Sequence, residues 1–244
     1  MKDHLNWGII GPGTIARAFA GGLHHSKTGR LTAIASRKPR PALAEHFPGI
    51  PCYDGYQALL DDAAIDAVYI ATPHTEHAEW AVKCARAGKH VLVEKPITIT
   101  ADEARAVYAE AEQAGVFMGE AYMYRLHPMT QKLIDLVRDG AVGEVRMIRS
   151  SFGFDIGDAG PEHRLLNAGL AGGGILDVGG YPVSMARLIA GASVGRDYLD
   201  PVSVSGSGRI GETGVDEWAA AILTFENGIV AEVACSVQVN QDNV

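Results

Sequence analysis

The sequence of 244 residues predicts an α/β fold in two parts: a doubly wound parallel sheet, then an α+β domain with a mainly antiparallel open sheet. Over the first 120 residues, short apolar runs alternate with segments of helical periodicity, which is the pattern of β-α-β units. After that point several β-rich runs follow one another without an intervening helix, which is typical of antiparallel pairing. We therefore expect one domain over residues 1–120 and a second over residues 121–244.

The expected strands of the first part are apolar runs that end in turn-forming or charged residues. The clearest helix follows Thr100, because Thr100 and Glu103 have the spacing of a capping box and Gly115 ends the segment. The carboxyl ends of parallel strands lie at one edge of the sheet, where we expect a ligand to bind. The predicted strands cover residues 5–10, 31–35, 67–71, 90–93 and 116–119, and the predicted helices cover 15–23, 42–47, 76–87 and 101–114.

The second part contains a strong hairpin signal, because Asn227-Gly228 stands between two β-rich runs. The run 218–225 alternates without a clean polar face, so we expect one face of the sheet to pack on helices and the other to be largely apolar. An apolar outer face usually marks a partner surface, which predicts a homodimer or higher homo-oligomer through this sheet. The predicted strands cover residues 144–154, 201–205, 218–225 and 229–239, and the predicted helices cover 128–137 and 175–190.

The composition excludes several classes of partner. The chain carries 29 acidic and 21 basic residues, for a net charge of −8, and has no long basic run, which argues against nucleic acid or an anionic membrane surface. No segment approaches the ~20 apolar residues of a membrane span. The three cysteines form no CxxC pair, which indicates reduced thiols. We expect a cytoplasmic protein.

The most informative motif is the turn GPGTIA at residues 11–16, which has the G-x-G-x-x-A spacing and joins a strand to an amphipathic helix. Gly11 permits the tight turn, Gly13 lets the backbone approach a pyrophosphate, and Ala16 lets the helix lie close to the sheet. Thr14 and Ile15 begin that helix, whose N-terminus favours an anion. The motif predicts a dinucleotide-binding Rossmann domain.

A second glycine pattern fits the dinucleotide motif on paper. The stretch GSGRIG at residues 206–211 follows a strand, but no amphipathic helix comes after it. The phosphate-binding mechanism needs that helix, so we interpret the second match as a glycine-rich loop.

The residues that follow the second strand distinguish NAD from NADP. An NAD site usually has a carboxylate there to bind the ribose 2′-hydroxyl. Here Ser36 and Arg37 occupy the position, followed by Lys38 and Arg40, and a hydroxyl with a guanidinium suits a 2′-phosphate. The alternative is a solvated basic turn. We expect a preference for NADP(H) over NAD(H).

The stretch after the third predicted apolar strand, ATPHTEH at 71–77, lies where cofactor contacts fall in such sheets. We expect Thr72, Pro73, His74 and His77 to take part in cofactor binding. His74 and His77 also have a spacing that suits a metal, but no cysteine or carboxylate set completes such a site, so we expect no metal.

Two further pairs carry side chains suited to chemistry. Glu94 and Lys95 end a strand beside the expected nicotinamide position, where the lysine can supply positive charge or a proton; the alternative is a solvated lysine. Asp177 and Tyr181 stand four residues apart near the start of a helix, so carboxylate and phenol converge on one face. The alternative for this pair is a capping carboxylate and a packed aromatic ring.

Taken together, these motifs resemble the glucose–fructose oxidoreductase / inositol dehydrogenase / rhizopine-catabolism (Gfo/Idh/MocA) family, in order and spacing, over essentially the whole chain. The resemblance rests on GIIGPGTIA at 8–16, ATPHTEH at 71–77, VEKP at 93–96, EAYMYRLHP at 120–128 and GGGILDVGGYP at 172–182.

The resemblance implies a role for each catalytic candidate. Lys95 would contact the nicotinamide and take part in proton transfer, Asp177 would orient the substrate, and Tyr181 would act as the acid/base. A tyrosine at that position is similar to the branch of glucose–fructose oxidoreductase, dimeric dihydrodiol dehydrogenase and NADP-dependent xylose dehydrogenase. The implied substrate is therefore a sugar, a cyclic polyol or a trans-dihydrodiol. Weaker candidates for the pocket wall are Arg125, His127 and Arg164.

The same family leaves two alternatives open. Some members are non-catalytic dinucleotide-binding regulators, which the presence of Lys95 and Tyr181 disfavours. Others are NAD-dependent glycosidases, which the Arg37 signal for NADP disfavours. Members usually continue past the position of Val244 with further strands, so we expect either additional sequence or a partner to cover an open sheet edge.

Overall fold

The computed structural model describes residues 4–37 and 43–244. The chain divides into two compact units, the first ending at Ala121 and the second running from Tyr122 to Val244. Each unit has its own sheet, and the described part of the chain contains no helix long and apolar enough to cross a membrane.

The first unit is built on a six-stranded parallel sheet of order β3-β2-β1-β4-β5-β6. The central strands are buried on both faces, as parallel sheets require, and all four residues of β4 are inaccessible to solvent. The strands are β1 Leu5–Ile10, β2 Gly29–Ser36, β3 Cys52–Asp54, β4 Ala67–Ile70, β5 His90–Val93 and β6 Met118–Glu120. The helices are α1 Thr14–His24, α2 Leu43–His46, α3 Tyr56–Leu60, α4 His77–Arg86 and α5 Ala101–Ala114.

The structure confirms the prediction of a doubly wound parallel sheet, with one strand more than expected. The additional strand, Cys52–Asp54, pairs with the end of β2 at the edge of the sheet. It was missed because three residues that include a carboxylate do not form an apolar run, and an edge strand does not need one.

The helix after Thr100 has the predicted caps. The Thr100 hydroxyl accepts a hydrogen bond from the Glu103 amide, and the Glu103 side chain accepts one from the Thr100 amide. Gly115 closes the helix in the left-handed conformation, with φ of 67°. Both caps depend on residues within one turn, which is why spacing alone predicts them.

The second unit is a four-stranded sheet of order β7-β10-β9-β8, with helices packed against one face. β8, β9 and β10 are antiparallel as predicted, whereas β7 joins β10 in parallel. Gly228 closes the predicted hairpin with φ of +83°. The strands are β7 Met147–Gly153, β8 Pro201–Ile210, β9 Asp216–Phe225 and β10 Val230–Ser236, and the longer helices are α6 Pro128–Arg138 and α7 Gly180–Ala192.

The prediction of a glycine-rich loop at 206–211 is wrong, because β8 continues through it to Ile210. Gly206 pairs with Ala221, and Gly208 pairs with Ala219. A Cβ atom on Gly208 would lie 2.6 Å from the backbone oxygen of Trp218 on the neighbouring strand. The glycines therefore permit a close approach of two strands, a role that glycine commonly has inside a strand.

The outer face of this sheet is more polar than expected. It includes Ile222, which is 41% exposed, but the residues that pair with Ile222 on the neighbouring strands are the polar Glu232 and Ser205. Arg149 and Glu232 form an ion pair at 2.8 Å across two paired strands, and the Arg209 guanidinium lies 5.2 Å from the ring centre of Trp218. The expectation of a largely apolar outer face is therefore wrong. The register of the neighbouring strands places these charged side chains beside the apolar residues.

Candidate functional site

The glycine turn after β1 has the geometry that the sequence motif requires. Gly11 has φ of +78°, and a Cβ atom there would lie 2.6 Å from the Ala71 oxygen and 2.7 Å from the Thr72 nitrogen. Gly13 precedes α1 without a side-chain cap, and the nearest atom to an added Cβ would be the Gly11 oxygen at 3.9 Å. The start of α1 therefore has no side-chain cap and leaves room beside Gly13, as the binding of an anionic pyrophosphate requires.

Thr14 and Ile15 begin the helix on its exposed side. The Thr14 hydroxyl accepts a hydrogen bond from Arg17 at 3.2 Å, and the Arg17 guanidinium lies 3.3 Å from the His46 ring nitrogen. Ile15 is 42% exposed, while the small Ala16 is fully buried against the sheet. The expected roles of Thr14 and Ile15 in cofactor binding remain predictions.

Arg37 follows β2 directly and forms an ion pair that the sequence did not reveal. One of its terminal nitrogens lies 2.8 Å from Oε1 of Glu76, and its guanidinium carbon lies 5.6 Å from the ring centre of Tyr56. Ser36, the last residue of β2, is buried. Lys38 and Arg40, which the sequence placed in the same basic turn, lie outside the described residues.

The loop after β4 presents an unsatisfied hydroxyl. Oγ1 of Thr72 is buried and has no hydrogen-bond partner among the described residues, which is costly unless a ligand completes it. Pro73 is exposed and leads into a short 3₁₀ turn that begins at His74. The unsatisfied oxygen of Thr72, the open space before α1 and the Arg37 cation together fit a dinucleotide along this edge of the sheet.

His77, which was predicted to take part in cofactor binding, is held between two loops of the first unit. Its side chain is fully buried, with Nδ1 2.7 Å from the Pro96 oxygen and Nε2 2.9 Å from the Thr72 oxygen. Burial lowers the pKa of His77, and the two carbonyl oxygens act in the opposite direction. His77 therefore joins the loop after β4 to the loop after β5, and it acts on the cofactor edge through those loops.

The lysine predicted to be catalytic, Lys95, lies in a loop that is held by side chains from neighbouring strands. Glu94 accepts a hydrogen bond from the Tyr69 hydroxyl and one from the Lys95 amide at 3.3 Å. The Ile97 amide donates to Oε1 of Glu120 at 2.8 Å. With the His77 contact, these bonds fix the backbone on both sides of Lys95, which is itself half-buried. Glu94 therefore stabilises this loop through its hydrogen bonds.

Glu120 has an electrostatic environment that links it to Lys95. Burial raises the pKa of the Glu120 carboxyl, and the negative charge of Glu94 raises it further. The Ile97 amide and the positive charge of Lys95 lower it. Glu120 lies in the EAYMYRLHP motif, but no role was predicted for it from the sequence. The order of the strands brings Glu120 next to the Lys95 loop, which it supports.

In the second unit, Asp177 lies in a π-helical turn, Ile175–Gly179, that leads directly into α7. The sequence predicts an ordinary α-helix with Asp177 and Tyr181 on one face, and the wider turn replaces the i, i+4 geometry at this point. The Asp177 side chain is 4% exposed, and Oδ1 lies 3.2 Å from Nη1 of Arg164. The structure therefore brings together two of the predicted site residues, Asp177 and Arg164.

Asp216 binds the backbone at the start of this helix, a role that was not predicted from the sequence. Its Oδ2 accepts a hydrogen bond from the Ile175 amide at 2.7 Å, and the Gly174 amide also bonds to its carboxylate. A Cβ atom on Gly173, which has φ of +107°, would lie 2.3 Å from Oδ1. Burial raises the pKa of Asp216, while the backbone amides lower it. The triple glycine thus makes room for a carboxylate from β9.

Tyr181 is surrounded by other aromatic rings of its own unit. The ring centre of Tyr122 is 5.0 Å away, that of Phe152 is 5.2 Å away and that of Tyr124 is 5.9 Å away. A Cβ atom on Gly180 would lie 1.9 Å from the Tyr122 hydroxyl, so the absence of a side chain at Gly180 makes room for the Tyr122 ring in this position. The tyrosines come from the EAYMYRLHP stretch, which was the one signal that pointed to this cluster.

The remaining candidates for the pocket wall differ in their positions. Nδ1 of His127 accepts a hydrogen bond from the Met129 amide at 3.1 Å and caps α6, so its ring has a structural role. Arg125 is half-buried and Arg164 is exposed. Within the described ranges, no group of three or more His, Cys, Asp or Glu residues lies together as a metal site would require.

Family models match both units of the chain. The model described as "Oxidoreductase family, NAD-binding Rossmann fold" matches residues 5–122, and that of the GFO/IDH/MocA C-terminal domain matches residues 130–243. A trans-1,2-dihydrobenzene-1,2-diol dehydrogenase from Mus musculus is 35% identical over 243 residues, which are 98% of this chain and 70% of that protein. D-xylose 1-dehydrogenase (NADP(+)) 2 from Haloferax volcanii is 40% identical over 206 residues, which are 84% of this chain and 61% of that protein.

Solved structures agree with this relationship. The aldose-aldose oxidoreductase from Caulobacter crescentus, complexed with glycerol, has a TM-score of 0.86 and 31% identity, and the match covers 97% of this chain and 72% of that one. A 3-ketoreductase from Actinomadura kijaniata in complex with NADP and TDP-benzene has a TM-score of 0.84 and 31% identity, over 98% of this chain and 72% of that one. Both similarities extend through the two units.

The position of His77 predicts a large effect on stability. His77→Ala should lower the free energy of unfolding by about 2–4 kcal/mol, because a cavity opens and two buried carbonyl oxygens lose their partner. Urea denaturation followed by circular dichroism measures the change. The control is His74→Ala, in the same loop but half-buried, which should cost less than about 1 kcal/mol. Equal effects of the two substitutions would contradict the proposed link between the loops.

Proposed function

Because the chain belongs to the Gfo/Idh/MocA oxidoreductase family, we propose that it is a cytoplasmic NADP(H)-dependent enzyme that transfers hydride to or from a carbinol or carbonyl carbon. The proposed substrate is a sugar, a cyclic polyol or a trans-dihydrodiol. The observation that carries the proposal is that side chains from other elements hold the backbone of the Lys95 loop. A surface lysine without a function does not need such support. The free thiols of Cys52, Cys84 and Cys235 support a reducing compartment.

The names of the relatives support the substrate class. They include a dehydrogenase of trans-dihydrodiols, an NADP-dependent dehydrogenase of D-xylose and a 3-reductase of a dTDP-linked deoxysugar. Each of these names describes the interconversion of a hydroxyl and a carbonyl on an oxygenated ring. We carry that common chemistry to this chain and leave the particular ring open.

The first unit would hold the cofactor. The amides at the start of α1, with Gly11 and Gly13, would bind the pyrophosphate, while Ser36 and Arg37 would bind the 2′-phosphate. NADP(H), when bound, supplies or accepts the hydride. Lys95 would place a positive charge beside the nicotinamide. The residues that hold its loop keep that charge in one position, so little reorganisation is needed during the reaction.

The second unit would hold the substrate and move its proton. Tyr181, held among aromatic rings, would take the proton from the substrate hydroxyl or return it to the carbonyl oxygen. Asp177 would accept a hydrogen bond from a neighbouring substrate hydroxyl. The Arg164 guanidinium favours the ionised carboxylate, which is the form that accepts.

The first prediction from this proposal concerns the cofactor. NADP(H) should bind at least about tenfold tighter than NAD(H), which corresponds to about 1.4 kcal/mol, because a guanidinium replaces the usual ribose-binding carboxylate. Arg37→Ala should remove most of that difference. Titration calorimetry with both cofactors measures the difference, with Arg30→Ala as the control, because Arg30 is an exposed arginine on β2, the strand that precedes Arg37. Equal affinities in the wild-type protein would remove the NADP assignment.

The second prediction concerns the proton transfer. Tyr181→Phe and Lys95→Ala should each lower kcat by about 10²-fold or more, the usual scale of general acid–base catalysis, while NADP(H) still binds. Turnover of NADP⁺ against aldoses, inositols and trans-dihydrodiols identifies the substrate and measures both variants. Tyr198→Phe, an exposed tyrosine after α7, is the control. Normal turnover in Tyr181→Phe would exclude the tyrosine from the mechanism.

We also propose self-association through the sheet of the second unit. The support comes from exposed apolar side chains on its outer face, Met147 at 59% and Ile222 at 41% exposure. A homodimer or higher homo-oligomer is expected at micromolar concentration in sedimentation velocity. Ile222→Glu should shift it towards monomer, whereas Val142→Glu, exposed but outside the sheet, should not. A stable wild-type monomer would contradict this part of the proposal.

A further inference from the structure

The ion pair between Arg37 and Glu76 joins two loops at the cofactor edge. Arg37 follows β2, and Glu76 lies in the turn between β4 and α4. The Glu76 side chain is only 19% exposed, whereas that of Arg37 is 57% exposed. Oε1 of Glu76 contacts Arg37, while Oε2 is buried and has no hydrogen-bond partner among the described residues. Within residues 4–37 and 43–244, Arg37 is the cation that pairs with this carboxylate.

This arrangement affects the residue to which the proposed function assigns the 2′-phosphate. A phosphate that binds Arg37 either displaces Glu76 from the guanidinium or shares the guanidinium with it. In the first case the largely buried Glu76 loses the cation that pairs with it, which is unfavourable. In the second case two anions lie on one cation and repel each other. NAD(H) has no 2′-phosphate and leaves the ion pair intact.

We propose that Glu76 is a specificity-determining residue that competes with the 2′-phosphate for Arg37 and so reduces the preference for NADP(H) over NAD(H). The inference rests on the proposed function, because it takes Arg37 as the phosphate-binding residue. In NAD-dependent proteins, a carboxylate at the end of β2 disfavours the binding of a 2′-phosphate. In this chain Glu76 has that effect. Here that carboxylate comes from the loop after β4.

Tyr56 makes the inference testable by substitution. Its buried ring lies beneath the Arg37 guanidinium, 5.6 Å from ring centre to Cζ, and packs edge-on against Trp80 at 4.9 Å. Cation–π attraction to this ring keeps Arg37 close to its present position when Glu76 loses its charge. Glu76→Gln therefore removes the competing charge and leaves the rest of the Arg37 environment in place.

The experiment measures binding, so that it is independent of turnover. Titration calorimetry on the whole chain gives dissociation constants for adenosine 2′,5′-bisphosphate and adenosine 5′-monophosphate, which differ only in the 2′-phosphate, and for NADP⁺ and NAD⁺. In Glu76→Gln the ratio of affinities in favour of the 2′-phosphate should rise about five- to tenfold over wild type. In the Arg37→Ala background the same substitution should change the ratio less than twofold, because the shared cation is absent.

The matched control is Glu79→Gln on α4. It removes one negative charge from the same region, but Glu79 is 59% exposed and pairs with Lys83. Its affinity ratio should stay within twofold of wild type. Thermal melting checks that each variant is folded, and Glu76→Ser replaces Glu76→Gln if the latter is not.

The outcomes separate this inference from the proposed function. If wild type prefers NADP⁺ but Glu76→Gln leaves the ratio unchanged, the competition is excluded and the proposed cofactor stands. If wild type shows no preference but Glu76→Gln creates one, the competition is supported and the proposed preference is wrong. A rise of equal size in Glu79→Gln would show a general charge effect and would overturn the role of Glu76. Absence of binding by either dinucleotide would overturn both proposals.

Discussion

The backbones of β1 and β4 approach each other so closely at their carboxyl ends that only a glycine fits between them. Gly11 lies against the Ala71 oxygen and the Thr72 amide, and its positive φ turns the chain directly into α1. This contact decides where α1 begins, and hence where its free amides point. It also places Thr72, whose buried hydroxyl has no hydrogen-bond partner in the part of the chain that the structure describes, next to that helix start. The cofactor edge of the first unit depends on this one contact.

In both units, buried side chains from distant elements form hydrogen bonds with the backbone of the loops that carry the candidate site residues. In the first unit, His77 and Glu120 hold the backbone that follows Lys95. In the second, Asp216 binds the amides that precede Asp177. Backbone groups in buried loops must find partners, and side chains supply them where no strand or helix does.

Interactions within one turn of the chain were predictable from the sequence. The capping box of Thr100 and Glu103 is an example, since it needs only residues three apart. The strand of Gly206 and Gly208 was not predictable, because what those glycines do is decided by the backbone of β9. Cys52–Asp54 was missed for a related reason: an edge strand is defined by its neighbour more than by its own residues.

The sequence by itself determined the class of fold and the family, because these follow from local periodicity and short motifs. The catalytic roles of Lys95 and Tyr181 were predicted from the same motifs. The tertiary structure alone decided which distant side chains contact the candidate site residues. Arg37 meets Glu76 across 39 positions of chain, and Asp216 meets Ile175 across 41. Such contacts depend on the path of the chain between the residues, and no local spacing encodes that path.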